Sequence, residues 1–134
     1  MPAPLRAAAA LALVALAAPA LANHTLRGDA AAGEAIYARC LACHALAYER
    51  TGPRHCDLFG RRAGSVKGFA YSDAMRHSNI VWNALTLDRF LANPMKTVPG
   101  TSMGYAGIED AKERADLIAY LRAAGASPEC RGQR

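Results

Sequence analysis

The sequence predicts a small, mostly α single domain in which helices alternate with irregular, glycine- and proline-rich loops. Three observations carry that expectation. Capping residues stand ahead of helix-like segments, most clearly Asp29 and Asp110. No stretch sustains the strict alternation of a half-buried strand. The run Cys40-Leu41-Ala42-Cys43-His44 sets two thiols and an imidazole on one helical turn, where a group can be fastened into the core of a short chain.

The elements follow in order. Residues 1–22 read as a signal peptide. Arg6 charges the start, Ala7 to Ala18 is apolar but too short to span a bilayer, and Ala20-Leu21-Ala22 is a small-residue cleavage site. The domain then covers residues 23–134, and nothing in it is long and apolar enough to enter a membrane. A first helix runs from about Asp29 toward Cys43. Thr51 to Tyr71 is irregular, broken by Gly52, Pro53, Gly60, Gly64 and Gly68. A short helix is expected near Ser72 to Arg76. Another begins at Thr86, with Asp88 in its first turn, and ends by Asn93 because Pro94 cannot continue it. Pro94 to Gly107 is again irregular. Asp110 caps the last helix, Glu113 completes a capping box, and Leu117, Tyr120 and Leu121 form its apolar face. Gly125 and Pro128 stop it.

The spacing of Cys40, Cys43 and His44 has a chemical reason. Two thiols three residues apart can each add to one of two vinyl groups along a haem edge, and the adjacent histidine is then held beneath the iron as an axial ligand. A zinc site needs two further ligands at comparable spacing, and Cys56 and Cys130 are isolated. A thioredoxin-like pair has no use for His44 and follows a strand, which is missing here.

Charge narrows the partners. Loss of Arg6 with the signal peptide lowers the formal net charge from +5 to +4. That mild balance suits steering toward acidic redox proteins. Nucleic acid is excluded as a partner by the lack of a basic run interleaved with aromatics, and by export.

A buried haem iron takes a sixth ligand, and the residues alone leave several. His24 lies near the N-terminus, and His55 and His77 stand in polar, loop-like surroundings that read as surface. Met75 and Met95 lie on or beside helices, where methionine usually serves packing. Met103 sits in Pro99-Gly100-Thr101-Ser102-Met103, whose backbone is fixed by proline and glycine.

At this point the chain resembles the class I c-type cytochromes, the family of mitochondrial cytochrome c and its bacterial periplasmic relatives. The resemblance spans Gly28 to Gly125. It rests on the haem motif, Thr51-Gly52-Pro53, Leu58-Phe59-Gly60-Arg61, Gly68-Phe69-Ala70-Tyr71, Trp82, Asn93-Pro94, the Pro99–Met103 loop, Ala106-Gly107-Ile108 and Glu113 to Leu121. It implies a single-domain cytochrome c fold wrapped around one covalently attached haem c, bound through Cys40 and Cys43 with His44 and Met103 as axial ligands. Pro53 matches the proline whose carbonyl orients the ligand histidine. Arg61, Tyr71 and Trp82 match residues that hold the buried propionates. Tyr37 and Tyr120 match the aromatic contact where the first and last helices cross.

Departures from the pattern matter. Phe90 stands where the family usually has tyrosine and Met75 where it has asparagine. With the residue matching Thr101, those groups normally hold a buried water near the ligand sulfur, so a dry pocket is expected here. Arg39, Arg50 and Lys96 keep positive charge around the exposed haem edge, whereas Met95, Ser102, Glu109 and Asp110 replace common lysines. The resemblance also brings the Cys56 loop near the end of the last helix, so a Cys56–Cys130 disulfide is expected in an exported protein. The alternative is that Cys130 lies on a tail loosened after Pro128, which leaves two free thiols or an intermolecular bridge.

The expected function is a soluble periplasmic monohaem electron carrier, not an enzyme. It takes electrons from a quinol–cytochrome oxidoreductase or a dehydrogenase and passes them to a terminal oxidase or similar acceptor. Two alternatives stand beside it: a haem enzyme or sensor with a labile sixth ligand, and an electron-transfer subunit of a larger oxidoreductase.

Overall fold

In the computed structural model, which describes Met1 and residues 27–132, helix α1 spans Ala30–Tyr37, and the Asp29 carboxylate accepts from the Ala31 amide at 2.9 Å. The expected signal segment and His24 lie outside the described residues. The first helix does not run regularly to Cys43. After Tyr37 the backbone tightens into a 3₁₀ turn, Ala38–Cys40, and the amides of Cys43 and His44 both reach back to the Cys40 carbonyl, at 3.1 and 2.9 Å. This curl groups the two thiols and the imidazole.

The short helix expected near Ser72 to Arg76 is present as α2, Asp73–Arg76, and Ser72 caps it. Helix α3, Ala84–Ala92, starts two residues earlier than Thr86. Asn83 is the cap, and Thr86 is the third helical residue: each side chain bonds the other's amide at 2.9 Å. The stretch after Asn93 is not wholly irregular. Pro94–Thr97 forms helix α4, in which Asn93 caps and Pro94 takes the first position, where its missing N–H costs nothing. Helix α5, Ala111–Gly125, opens at Asp110. Its expected capping box is only half made, because the Glu113 carboxylate turns away to a two-pronged pair with Arg39, at 2.8 and 2.9 Å. The segment past Pro128 is ordered rather than loose: Pro128–Arg131 is helix α6, and Cys130 is bonded to Cys56.

The frame is the crossing of α1 and α5, which places the haem motif. Gly33 permits it: a Cβ there would stand 2.0 Å from the Asp116 carbonyl oxygen. The Asp29 amide donates to the Asp116 carboxylate at 2.6 Å, and Tyr37 meets Tyr120 with ring centroids 5.1 Å apart. Leu117 and Leu121 of α5, Leu87 and Leu91 of α3, Ile36 and Ile108 form the core around one side of a cavity. The long irregular loop is pinned to the core by an antiparallel bridge between Arg62 and Val81. Gly107 lets the chain enter α5: its φ is +106°, and a Cβ would meet the Ala92 carbonyl oxygen at 2.3 Å. Among the described residues, no helix is long and apolar enough to cross a membrane.

Candidate functional site

The helices and loops enclose one large, mainly apolar cavity of about 450 Å³. All eight site residues expected from the sequence line it: Cys40, Cys43, His44, Pro53, Arg61, Tyr71, Trp82 and Met103. The expected ligand candidates separate. Met75 and Met103 face the cavity, whereas Met95 and His77 are exposed on the surface.

On one wall His44 is buried, and its Nδ1 donates to the Pro53 carbonyl at 2.7 Å. That bond fixes the tautomer and leaves the Nε2 lone pair for a metal. Burial lowers the His44 pKa, and the Pro53 bond opposes this only partly, so the ring is a neutral donor. Gly52 makes the space for it: a Cβ there would lie 2.3 Å from His44 Cε1. Cys40 and Cys43 carry free thiols at the cavity rim, Cys40 half-buried and Cys43 exposed. Burial pushes the Cys40 thiol up against the opposing pull of Arg39.

Met103 also lines the cavity. Its amide donates to the buried Thr101 hydroxyl at 3.2 Å, which holds the loop in place. Phe90 and Met75 line the cavity too, and Phe90 packs on Trp82 with ring centroids 5.1 Å apart. Of Phe90, Met75 and Thr101, all on the cavity lining, only the last carries a hydroxyl. Arg61 sits at the polar end, and its guanidinium donates to the carbonyls of Cys56 and Arg54, both at 2.8 Å. Burial lowers its pKa, which marks a cation poorly served by solvent and ready to meet a carboxylate.

One sequence expectation fails here. His55 is not a surface residue. It lines the cavity, stacks on His44 with ring centroids 4.2 Å apart, and shares a 3.0 Å hydrogen bond between its Nδ1 and the Tyr37 hydroxyl. Burial, followed by the neighbouring His44 and Arg61, holds its pKa well below the ordinary histidine value. The surrounding Pro53, Arg54 and Asp57 disguised it. The signal that could have found it was Tyr37, an aromatic on the inner face of α1 whose hydroxyl needs a partner.

Charged residues expected around the haem edge already have partners. Arg39 is paired with Glu113, and Arg50 donates to the Leu41 carbonyl at 2.6 Å. Asp110 spends its carboxylate on the Glu113 amide.

Two free thiols, an imidazole with one nitrogen engaged, a thioether on the lining and an apolar cavity are a donor set that fits haem c. The comparisons agree. The cytochrome c family model matches residues 30–125. The chain belongs to the cytochrome c family. It is 41% identical over 97 residues to cytochrome c2 of Blastochloris viridis, covering 70% of this chain and 76% of that protein. It is 39% identical over 114 residues to cytochrome c2 of Rhodomicrobium vannielii, covering 83% and 91%. The solved structure of cytochrome cH from Methylobacterium extorquens superposes with a TM-score of 0.70 at 44% identity, over 72% of this chain and 99% of that one. The helical architecture, with no sheet among the described residues, is the cytochrome c fold, and the cytochrome carries one covalent haem c and works as an electron carrier.

Proposed function

We propose that this cytochrome is an exported, periplasmic shuttle whose iron is held by His44 and Met103. Cys40 and Cys43 form the thioether links. The carrying observation is that His44 and Met103, from separate loops, line one apolar cavity with both free thiols at its rim. Haem supplies a one-electron Fe(III)/Fe(II) couple. Everything else is done by the chain. Pro53 holds the His44 proton at Nδ1 and thereby keeps Nε2 basic. The Pro99–Met103 loop presents a soft thioether, which favours the ferrous state over a second imidazole. Arg61, Tyr71 and Trp82 are placed to receive the propionates, and the apolar lining excludes water.

Residues 1–22 serve as the signal peptide, which is removed on export. The donors are respiratory or dehydrogenase proteins and the acceptor a terminal oxidase or a similar protein. Both are recognised through acidic docking surfaces by the modest positive charge of the rim. No substrate bond is made or broken.

Optical and redox titration of the purified holoprotein tests this reading. A single reversible one-electron wave, with no carbon monoxide adduct on the native ferrous protein, is the expected result. Ready carbon monoxide binding would instead favour a sensor or enzyme with a labile sixth ligand.

A further inference from the structure

Beside the ligand histidine stands a second one that the electron-carrier reading does not use. His55 is fixed from several directions. Its amide donates to the carbonyls of Ala45 and Leu46, both at 3.1 Å. The Arg61 guanidinium grips the carbonyls of the residues on either side of it, Arg54 and Cys56. Cys56 is itself tied to Cys130. The backbone under the ring is therefore cross-braced.

The ring is oriented as well. His55 lies against His44 with an interplanar angle of 23° and centroids 4.2 Å apart, a stacked arrangement. Its far edge meets the Tyr37 hydroxyl at 3.0 Å. Among the described residues, that is the one hydrogen bond the hydroxyl makes. A buried phenol must place its proton, and an imidazole nitrogen with a lone pair is the acceptor on offer. With Tyr37 assigned as the donor, His55 carries its own proton on Nε2. Tyr37 in turn is held between α1 and α5 by Tyr120.

We propose that His55 is a positioning residue for the axial imidazole: clamped by the Tyr37 hydroxyl in the Nε2–H form, it lies flat on His44 and sets the rotation of that ring about its bond to the iron. This rests on His44 as a ligand. Two constraints then act on His44. Pro53 holds one edge through Nδ1, and His55 covers one face. An edge bond alone permits the ring to rock about the hydrogen-bond axis, and a stacked plate removes that freedom. The rotation of an axial imidazole decides how unpaired spin is spread over the haem in the ferric state, so the residue acts on a measurable property without touching the iron.

The test uses the holoprotein and two variants. In the ferric state, proton NMR reads the four haem methyl shifts. In the diamagnetic ferrous state, nitrogen-15 imidazole spectra read which nitrogen of His55 bears the proton. The expected wild-type result is Nε2–H on His55. His55→Leu keeps an apolar filler but removes the stacked, tethered ring. Its methyl shifts should change in spread or order while methionine ligation persists. Tyr37→Phe keeps the ring and removes the tether, and it should move the same resonances in the same direction by less. It also decides the matter if His55→Leu fails to fold. Methyl patterns that stay at wild-type values in the variants overturn the proposal, and so does an Nδ1–H tautomer in the wild type. A wild-type spectrum without histidine–methionine ligation overturns the ligand assignment instead, so the two failures are distinguishable.

Discussion

Breaking the Cys56–Cys130 bridge should cost a large part of the stability of this small domain. The linked residues are 74 apart in sequence. On the chain-entropy relation, closing a loop of that size removes roughly 15 cal/mol/K from the unfolded chain, or about 4.5 kcal/mol at 25 °C. The proposed haem attachments at Cys40 and Cys43 lie outside the 56–130 loop, so those covalent links do not duplicate the constraint. Both sulfurs are fully buried, and alanine is the right replacement because serine would bury hydroxyls. The assay is guanidinium unfolding of the ferric Cys56→Ala/Cys130→Ala holoprotein, followed by Trp82 fluorescence. With a slope of about 4 kcal/mol/M for a domain of this size, the midpoint should fall by about 1 M. A fall of less than about 0.2 M would refute the reasoning, since under 1 kcal/mol would then have come from the bridge. Two titratable thiols in the denatured, unreduced wild type would refute it sooner.

Three further outcomes follow from the site and the frame. Phe90→Tyr with Met75→Asn restores polar partners beside Met103 and should bring alkaline loss of the ferric methionine band down by about one pH unit, equivalent to about 1.4 kcal/mol; a transition at equal or higher pH means the pocket was never drier. Electron transfer to an acidic partner should slow as salt screens charges beyond about 8 Å, though less steeply than for a lysine-rich relative, because Arg39 is already paired with Glu113; rates flat from low to high salt contradict a steered encounter. The Lys112 ammonium, and then the Asp29 amide, lower the Asp116 pKa below its ordinary 3.8. Its stabilisation is therefore present above that value and lost as pH falls through the lower, folded-state value. Wild type should outlast Asp116→Asn in denaturant near pH 5 and lose that advantage on acidification, and a constant difference down to about pH 2 would contradict the linkage.

Much of this was legible from local chemistry. Asp29 and Asp110 each cap the helix they announced, because a capping bond is made within three residues and needs no tertiary context. The errors came where one residue has two meanings. Pro94 read only as a stop, yet it also opens α4. Asp88 drew attention from Asn83, the true cap of α3. Glu113 was expected to close its own helix end, but Arg39, distant in sequence, offered a charged partner. The haem motif was plain because two cysteines and a histidine at that spacing restrict the chemistry by themselves, whereas Met103 stood out from the other candidates only through the family resemblance. His55 was hidden because its setting is made by Tyr37 and His44, and local polarity does not report which polar residue will be drawn inward.

The central claim is that His44 and Met103 share the iron. The direct measurement is the ferric spectrum and reduction potential of Met103→Ala beside the wild type. The account predicts a methionine-ligation band in the wild type that vanishes in the variant, together with an opened coordination site and a lower potential. An unchanged spectrum and potential in Met103→Ala would contradict it.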